Sequence, residues 1–213
     1  MSSDSPNKVI VYDLRSDLPS FSTLVWADEP ADGFAQLIEI LDGIRNPAGI
    51  GRLCVERSPC GYHASDANTL PLSDSPWLCA GFIVLSQRAV DVCTDIIRRC
   101  GMLIPLNGAG LPSTYSLLHV ARTIDALDSQ SSEYSRFLDG RINQLRKPVF
   151  RTELLQDEWL FRISGYRTGI FATQRLKALV ESAGLTGFEF AQIYPQPDDA
   201  AERQRFLERR KRR

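Results

Sequence analysis

Histidine is scarce in this chain, with His63 and His119 the two examples among 213 residues. So few imidazoles restrict the usual catalytic triads and metal cages, which need several convergent donors. A phosphate-cradling loop with Gly-Lys-Ser/Thr, a zinc-protease helix with paired histidines and a Gly-x-Ser-x-Gly elbow are also missing. The nearest glycine-rich run, Gly49-Ile50-Gly51-Arg52-Leu53-Cys54, lacks a third glycine and follows Asn46-Pro47 rather than a strand, which reads as a turn. The longest apolar run, 77–85, is about half the ~18 residues of a spanning helix. Residues 1–7 are polar, carry Asp4, and show neither the basic nor the apolar region of a secretory signal. The expectation is a soluble cytoplasmic protein with no membrane contact. Five cysteines, at positions 54, 60, 79, 93 and 100, form an odd set without an export signal, the pattern of reduced thiols rather than of a disulfide framework.

What the chain does have is the composition of an ordinary globular protein, 43% hydrophobic and 24% charged. Its length suits one generous domain or two small ones that bury about 70% of the unfolded surface. A formal net charge of -1 conceals an asymmetry. Residues 201–213 hold seven basic side chains (Arg203, Arg205, Arg209, Arg210, Lys211, Arg212, Arg213) and two acidic ones, leaving 18 basic and 24 acidic residues in positions 1–200. Summed surface fields steer encounters, so an acidic body suits a cationic partner. The body repels phosphate, and Phe206 alone interleaves aromatically with the basic tail, which argues against nucleic acid as the partner.

Residues 8–14 (KVIVYDL) and 21–27 (FSTLVWA) are short and rich in β-branched and aromatic side chains, so both read as strands. Phe34, Leu37, Ile38 and Leu41 then recur with helical spacing up to Gly43. Residues 46–75 are dense in Gly, Pro, Ser and Asn, interrupted by a candidate strand at 52–56. A strand at 82–85 feeds Ser86, an N-cap for a helix whose apolar face is Ala89, Val90, Cys93, Ile96, Ile97 and Cys100 and which Gly101 stops. Candidate strands follow at 102–106, 114–120, 122–127, 145–150 and 159–163. Thr173 caps a second helix with the stripe Leu176, Leu179, Val180 and Ala183, closed by Gly184, before a strand at 187–193. The pattern predicts an α+β fold, mostly antiparallel sheets with two or three packed helices. It divides into an N-terminal β-β-α portion and irregular loop (1–71) packed on the rest, a core (72–197), and a charged helix or tail (198–213).

Cys54, Cys60 and His63 fall within ten residues, with Cys79 more distant. A Cys-x5-Cys spacing matches no common zinc knuckle, so no metal or other cofactor is expected. His119 lies on a strand-like run, where a hydrogen-bonded structural imidazole is the economical reading. No residue is assigned a catalytic role.

Several segments stand in order along the chain: Asp74-Ser75-Pro76-Trp77; Val84-Leu85-Ser86-Gln87-Arg88-Ala89-Val90; Leu103-Ile104-Pro105-Leu106; and Ile124-Asp125-Ala126-Leu127-Asp128. Phe150 precedes Leu160-Phe161-Arg162-Ile163, and Leu176-Lys177 leads to Glu181-Ser182-Ala183-Gly184-Leu185-Thr186-Gly187-Phe188-Glu189-Phe190. Across 72–194 this series resembles bacterial immunity proteins of the polymorphic-toxin systems, the group numbered eleven, a myxobacterial-type immunity domain once classed as a domain of unknown function. The resemblance implies a non-enzymatic inhibitor that binds and neutralises a cognate toxin encoded by a neighbouring gene. It does not specify the toxin.

For the toxin contact, chemistry alone nominates Asp28, Glu29, Asp32, Asp66 and Asp74 as a cation-facing surface. Two alternatives stay open: a small cytoplasmic enzyme using Cys60, His63 or His119, and a nucleic-acid-binding module acting through the basic tail. Neither the oligomeric state nor the role of residues 1–71 is legible.

Overall fold

The computed structural model describes residues 9–18, 20–27, 35, 37–40, 53–58, 70–108, 111 and 113–197. The strands are β1 (Val11–Ser16), β2 (Thr23–Trp26), β3 (Leu53–Ser58), β4 (Ile83–Ser86), β5 (Gly101–Asn107), β6 (Tyr115–Val120), β7 (Glu133–Arg136), β8 (Ile142–Lys147), β9 (Leu160–Phe161), β10 (Phe171–Thr173) and β11 (Phe188–Tyr194). The helices are α1 (Gln87–Val92), α2 (Thr94–Cys100) and α3 (Gln174–Ser182), and residues 37–40 are also helical. The fold is α+β, as the pattern predicts. No helix among the described residues is long and apolar enough to cross a membrane.

One sheet runs β11-β1-β10-β9 and is antiparallel throughout, with β1 inserted between two strands from the far end of the chain. A second runs β2-β3-β5-β6-β4, antiparallel except for the parallel pair β3 and β5. Strands β7 and β8 form a separate hairpin.

Side-chain alternation explains why several strands read as unbroken apolar runs. In β4, Ile83 and Leu85 enter a core shared with Leu14, Ala172 and the three helices, whereas Val84 enters a second core with Leu24, Val55 and Ile104. In β6, Leu118 and Val120 join the first core and Leu117 the second. Successive side chains point to opposite faces, so a strand covered on both sides must be apolar at every position. Sheet one is likewise covered on its far side, where Val11, Phe161 and Phe171 pack with Ile142, Leu145 and Phe150. Ile142 and Leu145 thereby root the hairpin in a third core.

The sequence correctly places both helix starts. Ser86 Oγ accepts the Ala89 amide and Thr173 Oγ1 accepts that of Arg175. Gly184, at φ +61, closes α3 in the left-handed conformation that suits glycine.

Four expectations need correction. The single helix expected over 86–100 is broken at Cys93, because Thr94 Oγ1 donates to the Val90 and Asp91 carbonyls and competes with the backbone ladder. Residues 122–127 are not a strand but an extended crossing with isolated bridges at Thr123–Arg162 and Leu127–Phe150. The strand expected at 145–150 is displaced to Ile142–Lys147, and its partner Glu133–Arg136 falls in a stretch read as a polar connection. In the first predicted helix, Leu37 and Ile40 are the buried positions while Ile38 is half-buried. Phe34, Leu41, most of 46–69, and the tail from 198 lie outside the described residues.

Candidate functional site

The residues that could support nucleophilic chemistry are mostly packed away. Cys79, Cys93 and Cys100 are buried, and burial pushes their thiols up to about 12, 11 and 12, so each is protonated at neutral pH. Cys54 is a free, exposed thiol on β3. Cys60 and His63 lie outside the described residues. Among the described residues no three His, Cys, Asp or Glu side chains are grouped to hold a metal.

His119 departs from its expected role. On β6 it packs against Phe82 with ring centroids 5.9 Å apart, yet its Nδ1 is buried without a hydrogen-bond partner. Burial, reinforced by the nearby Arg162 charge, holds the imidazole down to about 4. It is therefore neutral near pH 7, and its Nδ1 gains nothing from the strand ladder, which engages backbone groups only.

Arg162 follows β9 and is 7% exposed. Its Nε donates to the Val120 carbonyl at 2.7 Å, Nη1 to those of Arg167 at 2.8 Å and Gly169 at 3.4 Å, and Nη2 to that of Gly81. One guanidinium thus ties β6, the turn before β4 and the 167–169 loop together. Burial lowers its own pKa to about 10, which leaves it charged.

Two open depressions share residues 163–165, which follow Arg162 in the chain. One, of about 420 Å³, is lined by His119, Thr123, Arg141, Arg162 and Tyr166. The other, of about 610 Å³, is lined by Asp125, Asp128, Gln130, Arg136 and Arg151. Ser164 and Gly165 contribute to both. Charges here are largely matched: Arg151 pairs with Asp125 at 2.8 Å, and Asp128 accepts the Gln130 and Ser131 amides at 3.0 and 3.3 Å. These contacts, led by the Ser131 side chain, hold the Asp128 carboxyl below its usual range.

The β7–β8 hairpin contributes Arg136 and Ile142 to the larger of these two depressions and its turn contributes Arg141 to the other. Its turn exposes Phe137 (52%) and leaves Leu138 fully exposed. The same turn is tightly bonded: Phe137 N donates to Arg141 O at 2.8 Å, Gly140 N to Phe137 O at 3.0 Å, and Arg141 N to Asp139 Oδ1 at 3.0 Å. Arg136 Nη1 donates to Gly140 O at 2.5 Å, and its guanidinium lies 4.9 Å from the centre of the Tyr134 ring. Sequence reasoning missed this element, although Asp139-Gly140 is a hairpin signal that could have found it.

Of the five carboxylates nominated for a partner contact, Asp28, Glu29, Asp32 and Asp66 lie outside the described residues. Asp74 is described, and it is not a surface group: it is 9% exposed. Its carboxylate accepts Ser86 Oγ at 2.7 Å, Arg88 Nη1 at 3.1 Å, and the Thr186 amide and hydroxyl at 2.9 and 3.2 Å. Three separate segments of the ordered motif series, 74–77, 84–90 and 181–190, therefore converge on one buried acid. It clasps the start of α1 to the approach to β11, and its own carboxylate is occupied by these contacts.

Taken together, the described residues form an α+β scaffold in which buried Asp74 and Arg162 are bonded internally, with a hairpin whose tip is exposed. Residues 102–195 match the model of the Immunity protein family (Imm11). That match contains all of β5 but its first residue, β6 to β11, Arg162 and the hairpin, and it shows the family resemblance over the motifs from Leu103 onward. Residues 74–101 lie outside it but are joined to it by the Asp74–Thr186 clasp. No curated protein matches the chain.

Proposed function

We propose that this chain is a cytoplasmic immunity protein that binds a cognate bacterial toxin, delivered by contact or by a secretion system, and neutralises it by occluding its active or substrate site. The observation that carries this reading is the Imm11 match over residues 102–195. The buried, protonated state of Cys79, Cys93 and Cys100 is consistent with a chain that works by binding rather than by thiol chemistry. The partner is the product of a neighbouring gene, and the complex forms through an interface of about 1,600 Å² of total buried surface. Interbacterial competition is the setting in which such a pair operates.

Co-expression tests the proposal. Cells producing the neighbouring toxin domain should survive when this chain is present and die when it is absent. The Cys54→Ser and His119→Gln variants should protect as well as the parent if protection rests on binding. Failure of the parent chain to protect would refute the proposal.

A further inference from the structure

We infer that the β7–β8 hairpin tip is the anchor of the toxin interface, with Leu138 and Phe137 entering an apolar pocket that carries carboxylates on its rim; this rests on the immunity reading above. Apolar side chains in folded proteins are ordinarily spent on the core, and this chain fills its cores elsewhere. Leu138 is fully exposed and Phe137 half-exposed at adjacent positions of one turn, where neither contributes to a core cluster. Adjacent in one turn and flanked by charged side chains, the two form a contiguous apolar patch with a polar rim, the kind of exposed patch that marks an interaction site, unlike the singly exposed Val25 and Leu154.

Rigidity is the second argument. A lone two-stranded hairpin is marginal in water, but this one is rooted by Ile142 and Leu145 in the third core. The Ile142 amide is also bonded to the Gly165 carbonyl at 2.7 Å. The turn hydrogen bonds and the Arg136 contacts then hold the tip in one shape before any partner arrives. A preorganised anchor loses little conformational freedom on docking, which favours affinity. Central, well-packed anchors surrounded by weaker contacts are the usual energetic pattern of interfaces.

Charge identifies the occupant. Residues 133–147 contain four basic side chains (Arg136, Arg141, Arg146, Lys147) and two acidic ones (Glu133, Asp139). Lys147 pairs with Glu133 and Arg141 with Asp139. The remaining positive charges, on Arg136 and the exposed Arg146, make the hairpin a basic projection on a body with more acidic than basic residues. Such a projection fits an apolar recess bordered by Asp or Glu and disfavours a cationic surface. The toxin face that it fits is therefore acidic around an apolar centre, the opposite of the cationic partner that the bulk charge alone suggests.

The test uses the full chain and a catalytically inactivated toxin domain from the neighbouring gene, immobilised for biosensor measurement. Phe137→Ser/Leu138→Asp should weaken binding at least 100-fold while leaving the melting temperature unchanged, since neither side chain is in a core. Arg146→Glu, which leaves the Arg136 contacts of the turn in place, should slow association severalfold at low salt, with the difference shrinking as salt is added, and an unchanged rate would overturn the acidic rim. If the parent binds and the tip variant binds as tightly, the anchor is elsewhere and the immunity reading survives. If the parent binds no toxin, the immunity reading fails and the anchor loses its occupant with it. Self-association of the parent that the tip substitutions abolish would identify a contact between copies and overturn the proposal.

Discussion

Replacing Arg162 by methionine removes a guanidinium that four backbone carbonyls share, those of Val120, Arg167, Gly169 and Gly81. Hydrogen bonds from a charged donor contribute about 1.5–3 kcal/mol each, and each buried carbonyl left without a donor costs about 1–3 kcal/mol. Two effects offset this loss. The variant no longer has to hold the desolvated cation of Arg162, which is 7% exposed, and the methionine stem keeps much of the apolar contact. The net expectation is a destabilisation of about 3–4 kcal/mol, less than the naive sum of four bonds. For a protein of this size that lowers the melting temperature by about 10 °C. Arg162→Lys should fall between parent and Met, since one ammonium cannot span carbonyls on three segments. Thermal and urea unfolding followed by circular dichroism measure the loss. The variant carries a second signature: with the Arg162 charge gone, one of the two causes that hold His119 down is removed, so its pKa should rise from about 4. Proton NMR of the imidazole reads that shift. A destabilisation below 1 kcal/mol with the His119 titration unmoved would refute the assignment of Arg162 as a charged internal tie.

Three further outcomes follow from the same structure. His119, neutral in the folded state down to about pH 4 and ordinary at about 6.5 when unfolded, makes no difference above 6.5. As pH falls from 6.5 toward 4, the unfolded chain takes up a proton that the folded chain refuses, so stability is lost across that window. Allowing for solvent screening, the loss is about 1–2 kcal/mol, and His119→Gln should flatten this part of the stability–pH curve relative to the parent. Asp74→Ala strips acceptors from Ser86, Arg88 and Thr186, and should cost about 3 kcal/mol in urea unfolding. Gly187 sits at φ +84, where an added Cβ would approach Ser73 Oγ to 2.1 Å. Gly187→Ala should therefore destabilise by about 2 kcal/mol, measured the same way.

Local chemistry was legible wherever one segment determined its own structure. Ser86 and Thr173 announce helix starts because their side chains accept amides two or three residues away, and Gly184 announces a stop. The α+β class was legible too, since apolar strand-like runs and two amphipathic stripes alternate with turn residues. Legibility ended where distant segments meet. Nothing near Asp74 indicates that its carboxylate is consumed by Thr186, 112 residues along, so a buried clasp resembled an available surface acid. Residues 122–127 have strand-like composition but make scattered hydrogen bonds, Ile124 N donating to Arg162 O and Ala126 O accepting from Arg151 N, so no continuous ladder forms. The hairpin was hidden for a different reason. Only Ile142, Leu145 and part of Tyr134 face the core there, and so sparse an apolar signal reads as a loop unless Asp139-Gly140 is given weight. The Arg162 node was invisible because its partners are carbonyls, which every residue carries.

The most direct measurement of the central claim titrates the purified chain into the active toxin while following the toxin's own turnover. An occluding immunity protein should abolish that turnover in proportion to the amount added, reaching zero at one equivalent when toxin is present well above the dissociation constant of the complex. Undiminished turnover with the chain in excess would contradict the account, as would complete inactivation by a small fraction of an equivalent, the behaviour of a catalyst.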